Sequence, residues 1–273
     1  MSARSRYYLF NLGLPLLLAL GVFLAFDLTH LDRLISDWLF DPAAGMFPLQ
    51  HVRWFEKITH KWARILPNLT GTLAIVGALL SCVWPALQAR PQARLTRLLG
   101  ASRLAGGLQW CARHRRDVLY MVVAFALSTA VIHYFKSHTS VYCPVETTLY
   151  GGTQLHSLWF ENFEVWARPG AGRCWPGGHA SSAFSLFVLY FIARRYRWRW
   201  SRVVFWGVVV LGMIYGTTRV LQGWHFMSHT LWAGLFVWLS TWFTALLFYG
   251  RAALQAPMQQ APIAPSPFRN VTP

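Results

Sequence analysis

Residues 226–249 read Phe-Met-Ser-His-Thr-Leu-Trp-Ala-Gly-Leu-Phe-Val-Trp-Leu-Ser-Thr-Trp-Phe-Thr-Ala-Leu-Leu-Phe-Tyr, without one Asp, Glu, Lys or Arg. An apolar run of this length crosses the roughly 30 Å hydrocarbon core of a bilayer as a helix. Five further apolar blocks precede it, at about residues 7–26, 66–87, 118–135, 180–193 (short, but preceded by apolar loop) and 203–215. The chain is 55% hydrophobic and only 12% charged, about half the charged fraction usual for a soluble domain. The apolar residues come in blocks, not in short amphipathic periods. The expected class is therefore all-α: a polytopic membrane protein with six transmembrane helices. Pro15 and Pro67 are expected near helix starts, where a missing N–H costs least. The first block follows Arg4 and Arg6 as a signal peptide would. Its apolar run is too long for one and no small-x-small site follows, so it is read as a retained anchor.

Between these blocks the charges separate. One set of segments comprises the N-terminus, residues 88–117, residues 194–202 and the C-terminal stretch. It carries sixteen arginines against the single acid Asp117, while the alternate set carries nine Lys and Arg against eight acids. The positive-inside rule then places both termini in the cytoplasm. It also disposes of a nucleic-acid reading of the +16 formal charge, because the arginines serve topology and anionic lipid heads.

Three pieces face outward. Residues 27–64, with Trp38, Trp54, Phe55 and Trp62, are expected to form one or two interfacial helices between spans one and two. Residues 136–179 form a long loop, and 218–225 a short turn. Residues 1–250 make up one membrane domain. Residues 251–273, with five prolines from position 257 onward, read as a disordered cytoplasmic tail.

Chemistry-bearing residues converge on the outward face. Lys136 follows span three, His179 starts span four in Pro176-Gly177-Gly178-His179, Arg219 ends span five after Thr218, and His225 and His229 open span six. Singly, each has a bland explanation: an interfacial histidine or a snorkelling lysine. Jointly they suit phosphoryl transfer. Fixed cations and N–H donors meet the phosphate oxygens, and arginine offers a bidentate fork. Gly177 and Gly178 permit close backbone approach at a helix N-terminus. One histidine can attack phosphorus while another protonates the leaving oxygen.

The order and spacing resemble the type 2 phosphatidic acid phosphatases, whose motifs, shared with the vanadium haloperoxidases, are Lys-x6-Arg-Pro, Pro-Ser-Gly-His and Ser-Arg-x5-His-x3-Asp. Here they stand as Lys136-x6-Cys143-Pro144, Pro176-Gly177-Gly178-His179 and Thr218-Arg219-x5-His225-x3-His229. The resemblance implies that His225 is the nucleophile and His179 the general acid. It implies phosphate binding by Lys136, Arg219 and the backbone of Gly177 and Gly178, and no metal or other cofactor. The substrate implied is a phospholipid or a lipid A-type phosphate at the periplasmic face of a bacterial inner membrane. A phosphotransferase using the same site, or a degenerate phospholipid-binding protein, are the alternatives.

Three motif positions depart from the pattern. Cys143 replaces an arginine, for which Arg168 or Arg173 could stand in. Gly177 replaces a serine. His229 replaces an aspartate that would orient the nucleophile, and Glu146, Glu161 or Glu164, Glu146 foremost, could restore the charge. Cys143 and Cys174 share the outward loop in an oxidising compartment and are expected to form a disulfide.

Overall fold

A computed structural model describes residues 2–62, 64–89 and 103–255. Among them the regular structure is helical, with no β-strand beyond isolated bridges. Five helices are long and apolar enough to cross a membrane: α1 (Ala3–Asp27), α4 (Ile65–Gln88), α6 (Arg115–His138), α9 (Ser201–Leu221) and α10 (Met227–Gln255). Their outward surfaces are apolar and exposed, as at Leu17, Leu79, Trp206 and Leu247. Such faces are stable only against lipid, so the chain is a multi-pass membrane protein.

The fourth expected span differs. It is two short helices, α7 (Gly178–Phe184) and α8 (Phe187–Arg195), and the break has a local cause. The hydroxyls of Ser181, Ser182 and Ser185 donate to the carbonyls of Gly178, His179 and Ser182, three residues back, at 2.8, 2.8 and 2.6 Å. Back-bonding of this kind bends a helix. Two other boundaries move. α9 runs to Leu221, so Thr218 and Arg219 sit on its last turns, not beyond them. Pro15 lies well inside the continuous helix Ala3–Asp27, whereas Pro67 is on the first turn of α4.

Between α1 and α4 lie α2 (Leu31–Leu39) and α3 (Arg53–Glu56), the latter continued by a wider turn over Lys57–Trp62. Trp38 is 85% exposed, and Trp54 and Trp62 are also exposed. The stretch 88–117 contains a further helix, α5 (Arg103–Arg113). Gly250 breaks the last helix with φ 72°, a left-handed value that suits glycine. Residues 251–255, expected in an unstructured tail, are helical beyond that break. Leu254 is buried, its carbonyl accepts from Arg194 at 2.8 Å, and Gln255 donates to the Ala3 carbonyl at 2.8 Å. The remainder of the expected tail, 256–273, lies outside the described residues.

The core is built around α10, which packs against α6, α7, α8 and α9, with α1 laid along it and α4 behind α6. Its centre is aromatic. Trp238 meets Phe187, Tyr190, Phe191 and Phe205 at 5.1–5.7 Å. Without a hydrophobic drive between helices in lipid, close approach has to come from small residues. A Cβ on Gly212 would fall on the Phe184 ring, and one on Gly216 would fall on Thr230. These two glycines set α9 against α7 and α10. They thereby fix Arg219 relative to His179 and His225.

α6 measures the molecule. At one end Asp117 binds Arg195 and accepts from the hydroxyls of Tyr196 and Tyr249 at 2.7 and 2.9 Å. At the other end is Lys136, nineteen residues along and about 28 Å away at 1.5 Å per residue. The two chemistries, a structural ion cluster and the candidate site, are separated by roughly a bilayer core.

Candidate active site

At the Lys136 end, α4, α6, α7 and α9 and the loops beside them enclose a pocket of about 410 Å³. Its walls carry Arg64, Lys136, Arg173 and Arg219, together with His179 and His225. None of its lining residues is a carboxylate. Four cationic side chains around an acid-free cavity make a receptor for an anion.

Each is placed by its element. Lys136 ends α6, and its Nζ donates to the carbonyl of Arg173 at 2.7 Å, with that of Cys174 at 3.5 Å. Gly178 makes room for it: a Cβ there would lie 3.3 Å from Lys136 Cε. Arg219, on the last turn of α9, donates from Nη1 to Gln222 Oε1 at 2.9 Å and lies over the Trp224 ring at 5.4 Å. Its buried Nε makes no hydrogen bond within the protein. A guanidinium held on one edge and unsatisfied on another is ready to bind an anion. His179 sits on the first turn of α7 and faces the same pocket.

His225 lies between α9 and α10 and is 9% exposed. Its Nδ1 is 3.1 Å from Cys174 Sγ and 3.4 Å from Nδ1 of His229. Burial, and then the charges of Lys136, His229, Arg219 and His179, holds the His225 imidazole well below the usual histidine range. It is therefore neutral at physiological pH, with a lone pair to offer.

Cys143 and Cys174 are joined in a disulfide with Cα atoms 5.2 Å apart. The bridge anchors the strip that carries the Lys136-binding carbonyls and abuts His225. Cys143, Cys174 and His225 are also the grouping with metal-ligand geometry among the described residues, their ligand atoms within 4.8 Å. With the sulfurs bonded to each other it offers no thiolate pair.

Several expected roles fall elsewhere. The Gly177 N–H donates to the His229 carbonyl at 2.8 Å, so it braces α7 against α10 and is not free for a ligand. Thr218 donates to the Tyr215 carbonyl and lines an apolar groove with Trp206, Val210 and Ile214, away from the pocket. Glu146 accepts from the Cys143 N–H at 2.8 Å, capping a short turn over Pro144–Glu146, and lines neither of the cavities beside the histidines. Glu164 and Arg168 are exposed and line neither as well. Arg173 does line the pocket, with Nη1 donating to the Gly170 and Gly172 carbonyls at 2.6 Å each.

Two residues escaped the sequence reading. Arg64 enters the pocket from the start of α4, outside every motif. Asp32, on α2, accepts from the Ser228 N–H at 3.0 Å and so caps the N-terminus of α10 from another part of the chain. It lines a second cavity of about 230 Å³ with His229, His156, Asp27 and Glu161. Local sequence carries no signal for either, because each depends on how a distant element docks.

A lateral groove of about 650 Å³ runs from the pocket down between α4 and α6. Arg64, Lys136, Gly178 and Ser182 line both. Lower down, its walls mix apolar residues, Gly71, Ile75, Phe125, Ile132 and Val237, with the hydroxyls of Thr72, Ser128, Thr129 and Ser185.

Comparison with known proteins adds three findings. The profile of the PAP2 superfamily matches residues 117–253. Over 140 residues the chain is 26% identical to the lipid A 4'-phosphatase of Francisella tularensis subsp. novicida (strain U112), covering 50% of this chain and 60% of that protein. No solved structure matches.

Proposed function

The chain belongs to the PAP2 superfamily, and on that premise we propose that it is a membrane lipid phosphatase acting on a phosphate ester of an envelope lipid. One observation carries the reading. The acid-free pocket around His225 and His179 opens directly into a groove between two membrane-length helices, whose lower walls are charge-free and partly apolar. A soluble phosphate ester needs the first feature only, whereas a lipid phosphate needs both. Its headgroup would sit among Arg64, Lys136 and Arg219, and one chain would descend past Phe125 and Val237. The name of the Francisella relative favours a glycolipid phosphate of the lipid A kind over a glycerolipid.

In the proposed reaction the lone pair on His225 Nε2 attacks phosphorus as the bond from phosphorus to the leaving oxygen breaks. His179 gives that oxygen its proton. Lys136, Arg219 and Arg64 hold the three equatorial oxygens, where charge is largest in the transition state. Water then attacks the phosphohistidine with His179 as base. The nitrogen–phosphorus bond breaks and inorganic phosphate leaves. No metal enters these steps. The separation of sixteen arginines from the acids along the sequence supports cytoplasmic termini, and hence a site on the periplasmic face of an inner membrane.

The test is phosphate release from lipid phosphates in detergent with EDTA present, comparing wild type with His225→Ala and His179→Ala. The panel comprises lipid A, a polyprenyl pyrophosphate, phosphatidylglycerol phosphate and phosphatidic acid. Release from at least one lipid that persists in EDTA and is lost in both variants is the expected result. Absence of release together with a His225 that cannot be labelled by phosphate defeats the reading. Labelling without release turns it into a phosphotransferase.

A further inference from the structure

The His225–His229 pair forms the wall between two cavities of opposite character. On its front side is the pocket with Arg64, Lys136, Arg173 and Arg219 and no carboxylate. Behind it is the cavity of about 230 Å³, whose lining holds three of the chain's nine acids, Asp27, Asp32 and Glu161, with one cation, Arg33. His225 lines only the front cavity and His229 only the rear one, and their Nδ1 atoms face each other at 3.4 Å.

This arrangement answers a physical problem. When Nε2 of His225 bonds to phosphorus, the ring becomes cationic in a place already crowded with positive charge. A negative charge behind the ring would stabilise that state and hold the proton on Nδ1. His229 alone brings none.

We propose that Asp32 supplies it, acting through His229 as a positioning residue for the nucleophile. The inference rests on the phosphatase reading. Nδ1–H of His225 donates to Nδ1 of His229. The proton of His229 is then on Nε2, where it has the Cys174 backbone as one partner and reaches the Asp32 carboxylate through water in the rear cavity. At roughly 30 Å³ per molecule that cavity has room for several waters. No proton need leave its nitrogen in this chain; the carboxylate orients both rings and offsets the charge.

The other two acids are committed elsewhere. Asp27 Oδ2 accepts from the Trp232 indole at 2.8 Å, nearly a turn beyond His229. Glu161 accepts from the Leu158 N–H at 2.7 Å within its own loop and is exposed. Asp32 is fixed to the N–H of Ser228, the residue next to His229. α2 thus has a task beyond lying at the surface: it delivers a carboxylate that α10 does not carry.

The test uses two anions on the purified, detergent-solubilised protein. Orthovanadate takes an imidazole nitrogen as a fifth ligand and so reports the nucleophilicity of His225. Inorganic phosphate binds the front pocket without bonding to nitrogen. Asp32→Asn keeps an oxygen to accept from Ser228 and removes the charge. The expected result by titration calorimetry is vanadate affinity weakened about tenfold or more, with phosphate affinity within about twofold of wild type. Equal weakening of both anions assigns Asp32 a structural role and overturns the inference, as does no weakening of either. If wild type binds neither anion, the phosphate-site reading itself fails, and the inference with it.

Discussion

His225 and His229 point Nδ1 at Nδ1 across 3.4 Å, four residues apart where the chain enters α10. Two neutral imidazoles in this geometry share one proton between facing nitrogens, so one ring donates and the other accepts. If His225 is the donor, its Nε2 carries the free lone pair on the pocket side.

That makes His229 a test of orientation rather than of binding. His229→Ala is expected to lower kcat by roughly two orders of magnitude, with KM nearly unchanged, because the front pocket is intact. His229→Asp restores an acceptor and adds charge, and is expected to keep kcat within about tenfold of wild type. Steady-state kinetics on the best lipid substrate decides it. A KM effect as large as the kcat effect would make His229 part of the pocket architecture instead.

The Cys143–Cys174 bridge holds the segment whose carbonyls bind Lys136. Thiol titration of denatured, unreduced protein should find two reactive cysteines, Cys82 and Cys111, rising to four after reduction. Replacing Cys143 and Cys174 together by serine is expected to cost about 3–4 kcal/mol for a loop of this size. Activity should fall about tenfold further, at temperatures where the variant is still folded, because Lys136 loses its anchor.

Asp32 makes an opposite trade. Burial pushes its carboxyl up to about 6. An acid whose folded value exceeds its unfolded value of 3.8 contributes most to stability below that unfolded value. The contribution is lost as pH rises through about 6. At pH 8 the ionised carboxylate therefore costs on the order of 3 kcal/mol. Asp32→Asn escapes that cost. Its melting temperature relative to wild type should be higher at pH 8 than at pH 4, even as vanadate binding weakens. Thermal melts across that range give the sign directly.

Asp117 tests the far end of the molecule. It binds Arg195, Tyr196 and Tyr249 while largely buried. Asp117→Ala leaves the Arg195 charge unpaired and is expected to destabilise by about 3–5 kcal/mol. Turnover per folded molecule should hold, since Lys136 lies about 28 Å along α6. A large loss of turnover with an unchanged melting temperature would contradict this division.

Much of the architecture was legible because lipid imposes it. A helix in hydrocarbon must satisfy its own backbone and show apolar side chains, so five long helices stand out as blocks. The fourth block reads as one span, because the three serine hydroxyls that bend it between Phe184 and Phe187 look like ordinary small polar residues. The C-terminal side of α9 was cut short for a similar reason. Thr217, Thr218 and Arg219 read as a polar boundary, yet they continue the helix into the site.

The pattern from Lys136 to His229 told which residues meet, since the alternation of spans puts those helix ends at one face and the motifs resemble a known set. It could not tell what surrounds them. Glu146 looked the natural carboxylate by proximity along the chain, but it satisfies the N–H of Cys143 instead. Gly177 looked like a backbone donor, and its N–H is spent on the His229 carbonyl.

By itself, then, the sequence determined the membrane class, the segregation of arginines from acids, and the set of histidines and cations at one end. Those follow from composition and from periodicities of a few residues. Only the tertiary structure decided that Arg64 joins the cationic pocket, that Asp32 caps α10, and that a pair of histidines divides a positive cavity from an acidic one. Each of these depends on the docking of α2 or α4 against helices tens of residues or more away in the chain. Contacts over such distances are set by packing of whole elements, and no local spacing encodes them.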